Sequence, residues 1–290
     1  MKSYRHHLCS VILLAAVLLS AGQSVQGATR IRVATYNVMS KVMADSVLPW
    51  QMRSTRICMQ MHQLDVDVIG FQEVTPVQLT DLSQGLPDYA VASIPWDLAD
   101  STLGTVPIFY RKDKYKLVER GYFWLSDTPE VPSAGWGNQR PYAVCWTILQ
   151  NIEDRSSFIF ANTLYDESND KAHLESSMLA KTCLGKISNG IPVILAGDFN
   201  ITSRDISYST LLTRIFPMQD AWTAATQREG VPNTYNGLGR VDAGQKRIVD
   251  FIFTSIGVKV RRASLETSAQ SDGIYLSDHN LLWADLSWKP

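Results

Sequence analysis

Cysteine, histidine and uncompensated charge are all scarce in this chain of 290 residues. Of its four cysteines, Cys9 lies close to the N-terminus, which leaves Cys58, Cys145 and Cys183 for the body of the protein. Three thiols close one disulfide at most, so a disulfide scaffold is excluded. Each sits in an apolar segment with no second Cys or His at zinc-finger spacing, and each reads as a core residue. Charge is nearly balanced, with 27 basic and 28 acidic side chains. A basic stripe, the usual source of affinity for polyphosphate backbones, is missing. The short cluster Arg111, Lys112, Lys114 and Lys116 reads instead as a solvated strand end. Beyond residue 27 no apolar run is long enough to span a bilayer, and no repeat, low-complexity tract or linker divides the chain. With 45% hydrophobic and 19% charged residues, disorder is excluded as well.

The first 27 residues have the makeup of an export signal. Lys2 and Arg5 give a positive start, Leu8 to Leu19 is apolar but too short to cross a membrane, and Val25 and Gly27 offer small residues for cleavage. The expectation is a signal peptide over 1–27 and a single folded domain over 28–290, exported to a periplasm or secreted. Removing the signal takes away Lys2 and Arg5 and no acid, so the mature chain carries a net charge of minus three.

Short apolar runs ending in polar residues recur in that domain: Ile31 to Asn37, Val66 to Glu73, Phe158 to Asn162, Val193 to Asn200 and Ile248 to Phe253. They read as buried strands. Helices are predicted from Trp50 to Leu64, from Thr75 onward, and from about Ala172 to Ile187 before Asn189-Gly190. At the second of these Thr75 caps, Pro76 takes the first turn and Gln78 completes a capping box. The stretch from Tyr89 to Leu149 is mostly β, and Ser126 to Pro141 is a long ordered loop. Strands interleaved with helices over this length predict an α/β fold of four layers, α-β-β-α, with two mixed sheets packed face to face and helices outside.

Polar side chains gather at the strand ends: Asn37, Glu73, Asp198 with Asn200, and Asp250. The cluster Ser277-Asp278-His279 precedes the last strand. If these ends share a rim, they form an oxygen-rich site suited to Mg²⁺ or Mn²⁺ rather than zinc, since few His and Cys accompany the acids. Alternation places Asp198 and Asn200 on one face directly after an apolar run. Asp250 has two readings, as a member of the rim or as the structural partner of Arg247.

The set Thr35-Tyr36-Asn37, Phe71-Gln72-Glu73, Asn162-Thr163, Gly197-Asp198-Phe199-Asn200, Asp250-Phe251-Ile252-Phe253 and Ser277-Asp278-His279 spans the mature chain. In order and spacing it resembles the endonuclease/exonuclease/phosphatase superfamily, the metal-dependent phosphoesterases built like pancreatic-type deoxyribonuclease. Phe123 to Pro129 and Gly135-Trp136 are similar to its exported bacterial branch. The resemblance implies that Asn37 and Glu73 hold the metal with help from Asp278, and that Asp198 activates the attacking water. It further implies that Asn200 donates to a phosphate oxygen and that His279, fixed by Asp250, stabilises the charge developing at phosphorus. Substrate contacts are expected from Asn162, Arg140, Tyr165 and Trp136.

The chain departs from that pattern where Leu164 stands in place of a phosphate-binding His, and where Thr105 follows Gly104 in place of a Glu. Alternation turns Tyr165 away from the face of Leu164 unless a bulge re-aims it. His173 is a second replacement to consider, weighed against a solvated residue at a helix start. Arg247 lies three residues before Asp250 rather than two. The resulting expectation is an exported hydrolase of a small phosphorylated substrate, phosphatase or phosphodiesterase, working by in-line water attack with Mg²⁺ or Mn²⁺. A secreted nuclease is disfavoured by the charge, and a catalytically weakened phospho-ligand-binding relative is the other alternative. The sequence leaves the oligomeric state open.

Overall fold

The computed structural model describes residues 28–40, 49–95, 104–213, 215–241 and 247–289. The expected signal peptide therefore lies outside the described residues. In chain order the elements are β1 (Thr29–Asn37), α1 (Trp50–Gln63), β2 (Val68–Gln72), α2 (Pro76–Gly85), β3 (Tyr89–Ala92), β4 (Ile108–Arg111), β5 (Tyr115–Trp124), β6 (Ala143–Asn151), β7 (Ser157–Leu164), α3 (Asp170–Ser188), β8 (Val193–Asp198), α4 (Ile206–Leu212), β9 (Met218–Asp220), α5 (Ala221–Ala224), β10 (Gln227–Glu229), β11 (Asp250–Ser255), β12 (Lys259–Glu266) and β13 (Leu281–Trp288). One sheet has seven strands in the order β10-β12-β13-β1-β2-β4-β3, the other six in the order β5-β6-β7-β8-β11-β9. Both are mixed: β1 runs parallel to β2 and β7 parallel to β8, while most other neighbours are antiparallel. Among the described residues no helix is long and apolar enough to cross a membrane.

Three apolar layers hold the sandwich together. Between the sheets, Ile31, Val33 and Leu282 meet Phe158, Phe160 and Ile194. Ile57 and Met61 of α1 and Leu82 of α2 cover the outer face of the first sheet at Ile69, Phe71 and Trp283. Ala180, Leu184 and Leu211 of α3 and α4 cover the second at Ile159, Leu195 and Phe253. Each such side chain taken from water contributes about 1.5–3 kcal/mol, so burying both faces of both sheets explains why the central strands read as continuous apolar runs. This is the four-layer α/β architecture expected from the sequence.

Local signals account for the boundaries. At α2 the Thr75 hydroxyl accepts from Gln78 N and the Gln78 side chain accepts from Thr75 N, so the predicted capping box forms. α3 starts two residues earlier than predicted because the Asn169 side chain caps it through Ala172 N. It ends where Asn189 turns left-handed at φ 43 ahead of Gly190. The predicted strand to Asn200 stops at Asp198, since Asn200 adopts φ 50 and leaves the ladder. Asp250 opens β11 rather than closing a strand. Because β11 is antiparallel to β8, with Asp250 opposite Asp198, its first residue still reaches the same rim.

Candidate active site

The C-terminal ends of β1, β2 and β8, the start of β11 and the turn before β13 converge at one edge of the sandwich. Asn37 Nδ2 donates to Glu73 Oε1 at 3.2 Å and to Asp198 Oδ2 at 3.0 Å, which ties the two sheets together at the rim. Glu73 sits just beyond β2 with a left-handed φ of 56, an unusual conformation for a non-glycine residue. Its Oε2 accepts from the Ser40 amide and hydroxyl. The neighbouring Gly104 is required there, because a Cβ on it would lie 2.4 Å from the Glu73 carbonyl carbon. Ser277 Oγ donates to the Asn37 carbonyl at 2.6 Å and fixes the turn that carries Asp278 and His279.

His279 is buried between two acids. Its Nδ1 is 2.8 Å from Asp250 Oδ2, and its Nε2 is 3.7 Å from Asp198 Oδ2. Burial opposes its charge, but Asp250 and Asp198 outweigh that penalty and raise the imidazole well above its ordinary value. Burial together with the charge of Asp250 pushes the Asp198 carboxyl up to about 7, against the pull of His279. Burial also raises Asp278, with Glu73 adding to the effect. Glu73 itself is driven up by burial, yet the Ser40 and Asn37 bonds and the charge of His279 leave it below its ordinary value.

A cavity of about 240 Å³ opens over this cluster, with Glu73, Asp198, Asn200, Asp278 and His279 in its wall together with Tyr235 and Arg247. A larger one of about 880 Å³ lies at the opposite end, among residues 154–157, 190–192 and 255–259, and carries none of this chemistry. Five acids, Glu73, Glu167, Asp198, Asp250 and Asp278, face one imidazole and one guanidinium, an acid-rich set that fits a hard divalent cation. Asp198, Asp250 and His279 offer ligand atoms within 4.8 Å of one another, but the hydrogen bond from Nδ1 to Asp250 already occupies that nitrogen. The oxygen set Asn37, Glu73 and Asp278 therefore suits the ion better, and the Asp250-His279 pair suits proton donation.

The pattern of the endonuclease/exonuclease/phosphatase family matches residues 34–279. The chain belongs to that family. A Bacteroides vulgatus endonuclease/exonuclease/phosphatase is 32% identical, with a TM-score of 0.84 over 89% of this chain and 98% of that one. A Bacteroides thetaiotaomicron mannosyl-6-phosphatase is 29% identical, with a TM-score of 0.79 over 88% of this chain and 99% of that one. An uncharacterised protein of Acanthamoeba polyphaga mimivirus is 32% identical over 187 residues, 59% of this chain and 66% of that protein's length. Enzymes of the endonuclease/exonuclease/phosphatase family hydrolyse phosphoesters and generally use divalent metals.

The structure brings together Asn37, Glu73, Asp198, Asn200, Asp250, Asp278 and His279, and separates the expected substrate contacts from them. Asn162 is fully buried between the sheets. Its Nδ2 donates to the carbonyls of Phe71 and Pro107 at 2.7 and 3.0 Å, and its Oδ1 accepts from Gln72 Nε2 at 2.6 Å. It is a clasp between sheets, and Gly70 is bare because a Cβ there would lie 2.5 Å from Asn162 Oδ1. No bulge re-aims Tyr165, whose ring packs on Phe199 and His173 in the core beneath α3. Only its backbone serves the site, through a carbonyl that accepts from Asn200 Nδ2 at 3.1 Å. His173 is buried rather than solvated, with Nε2 2.7 Å from the Asp166 carbonyl. Trp136 lines neither the acid-lined cavity nor its neighbour and pins its own loop, donating to Asp127 at 2.9 Å. Arg140 lies one step away: its Nε donates to Tyr142 Oη at 2.7 Å and its Nη2 is 4.0 Å from Glu167, a residue of the site cavity.

Tyr235 and Glu167 were not singled out from the sequence, and Arg247 entered as the structural partner in one of two readings of Asp250. Instead the Arg247 guanidinium lies 5.0 Å over the Tyr235 ring, and that ring meets His279 edge-on at 5.1 Å. The signal for this was non-local, an isolated bridge between Tyr235 and His279.

Proposed function

We propose that the protein is an exported, divalent-metal-dependent phosphoester hydrolase that acts on a small phosphorylated substrate by in-line attack of water. Mg²⁺ or Mn²⁺ is assigned to Asn37, Glu73 and Asp278, and when bound it supplies Lewis-acid stabilisation of the charge on the phosphoryl oxygens. The rest of the chemistry belongs to the chain. Asp198, ionising near neutrality, is matched in basicity to taking a proton from the attacking water. Asn37 holds that carboxylate in place through its 3.0 Å bond. His279, kept cationic by Asp250, presents Nε2 to the phosphoryl or leaving oxygen, while Arg247 and Asn200 add donors at the rim.

The observation that carries this reading is the buried triad geometry, His279 held at 2.8 Å by one acid and 3.7 Å from another. A confined cavity, a balanced net charge and the acid Glu167 at the wall favour a small substrate over duplex nucleic acid. The relative named as a mannosyl-6-phosphatase points the same way. Export rests on Lys2, Arg5 and the apolar run up to Leu19. Recovery of a mature form beginning near Ala28 outside the cytoplasm supports it, and a full-length cytoplasmic form refutes it.

The test is a panel of phosphomonoesters and diesters with Mg²⁺, Mn²⁺ or chelator, run with Asp198→Asn and His279→Gln. Turnover should need the ion and fall about 10²–10³-fold in each variant, the scale of losing one preorganised catalytic donor. Phosphate release that survives chelator and both substitutions overturns the mechanism. Salt-sensitive plasmid cleavage favours a nuclease, and tight ligand binding without turnover favours a noncatalytic relative.

A further inference from the structure

Arg53 of α1 is 1% exposed, a charged side chain where an apolar one is the rule. Its Nη1 donates to the Val38 carbonyl at 2.6 Å and to the Leu276 carbonyl at 3.1 Å, and its Nη2 donates to the Met39 carbonyl at 3.2 Å. The guanidinium lies 5.0 Å over the Trp50 ring, and Trp50 Nε1 is tied in turn to Asp81 of α2 at 2.7 Å. Gln78 of α2 sends a second donor to the Met39 carbonyl, at 3.1 Å. A buried charge is costly to take out of water, so stability of the fold is by itself a poor account of Arg53.

The three carbonyls belong to the two segments that carry the site. Val38 and Met39 stand between Asn37 and Ser40, whose amide and hydroxyl hold Glu73, and Leu276 precedes Ser277-Asp278-His279. Met39 is left-handed at φ 59, a conformation that an unbranched apolar residue rarely adopts without outside support. In that conformation its amide donates to Asn37 Oδ1 at 2.9 Å. The Asn37 carboxamide is thereby oriented with Nδ2 toward Glu73 and Asp198, and a carbonyl oxygen with two lone pairs keeps one for a further ligand.

We propose that Arg53 is a positioning residue: through the Val38, Met39 and Leu276 carbonyls it sets the Asn37 carboxamide for the metal ion and keeps the Asp278-His279 turn in register with it. This assignment rests on the proposed hydrolase reading, in which Asn37, Glu73 and Asp278 hold the ion. The planar fork is what the arrangement needs, because two nitrogens at fixed spacing reach two separate segments, whereas an ammonium is a single point.

Mn²⁺ binding to the full chain without substrate, measured by calorimetry beside the Tm of each ion-free protein, tests this role. Arg53→Lys keeps the charge and loses the fork, so its Kd for Mn²⁺ should rise about tenfold, the lower end of the range for outer-shell partners of a metal site. Gln78→Met removes the second donor to Met39 and should raise the Kd about threefold. Thr75→Ala breaks the same capping box without touching Met39, so its Tm should fall while its Kd stays within about twofold of wild type. A role confined to fold stability lowers Tm in all three and leaves the Kd unmoved. Unchanged Kd values in folded Arg53→Lys and Gln78→Met, or a loss in Thr75→Ala equal to that in Gln78→Met, overturn the proposal; if Arg53→Lys does not fold, Gln78→Met against Thr75→Ala decides. Failure of the wild type to bind Mn²⁺ at millimolar concentration removes the metal assignment and this role together, whereas equal binding by wild type and variants removes this role alone.

Discussion

Replacing Asp250 by Asn tests the site most sharply, because it changes charge while nearly preserving shape. Asp250 Oδ2 bonds His279 Nδ1 at 2.8 Å, and both groups are buried. A charge-assisted bond of this kind contributes about 1.5–3 kcal/mol, and the amide also removes the negative charge that favours imidazolium. If its NH₂ turns toward Nδ1, the ring is forced into the tautomer that cannot donate from Nε2. At about 1.4 kcal/mol for each factor of ten, kcat/KM should fall about 10–10²-fold. The pH profile gives the independent readout. Asp250 raises His279, so the alkaline limb should move down on its removal. Asp250 also raises Asp198, so the acid limb should move down too. The optimum therefore shifts toward acid while near-native circular dichroism is retained. Activity within threefold of wild type, or a lower rate with an unmoved optimum, refutes the assigned pairing.

Three further variants test other buried placements in the structure. Asn162→Ala removes three buried hydrogen bonds, to the Phe71 and Pro107 carbonyls and from Gln72 Nε2, while Pro107 keeps the Phe71 amide and Gln72 keeps Thr35 Oγ1 and the Gly70 carbonyl. It should cost about 3 kcal/mol, seen as a fall of roughly 6–12 °C in Tm, and a stability within 1 °C of wild type rejects the clasp. Tyr165→Phe loses only a 3.4 Å contact with Ser177, so kcat/KM should stay within about twofold, as expected for a core ring; a tenfold loss returns the phenol to the substrate. Asp220, buried against Tyr208 and the Trp222 amide, has its carboxyl raised by burial from 3.8. The folded state then holds the proton more tightly than the unfolded one, so this contribution is complete below 3.8 and is lost as pH rises through the folded value. Asp220→Asn should flatten denaturant stability over that window, and a slope unchanged between mildly acid and neutral pH rejects it.

What could be read from the sequence were features whose cause is local. Thr75, Pro76 and Gln78 specify the start of α2 through bonds within four residues, and the apolar strand runs announce burial on both faces. The residues of the rim were legible because Asn37, Glu73 and Asp198 follow such runs directly, and a chain leaving a buried strand exposes its next polar residues at the rim. Asn162 follows the same rule and breaks the expectation. The groups that claim its amide come from β2 and the residue before β4, in the other sheet, and nothing in the surrounding sequence marks them. Tyr165 is the converse case: alternation turned it away from the face of Leu164, and its ring lies in the core against Phe199.

Tyr235 and Arg247 share a non-local cause for their place at the site, which also bears on how the rim is held. Tyr235 and Arg247 are brought together because the Thr234 and Tyr235 amides donate to the Arg247 carbonyl, and the stretch from Thr234 to Asn236 is held in turn by the Asn236 amide on the Asp278 carbonyl. The turn that carries Asp278 and His279 is thus clamped from one side by this stretch and from the other by the Ser277 bond to Asn37. Asn37 and the Asp278-His279 turn are consequently joined through adjacent backbone rather than through their charged groups alone. A site held in this way can keep Glu73, Asp198, Asp250 and Asp278 within one rim, and it explains how side chains from separate chain segments meet there.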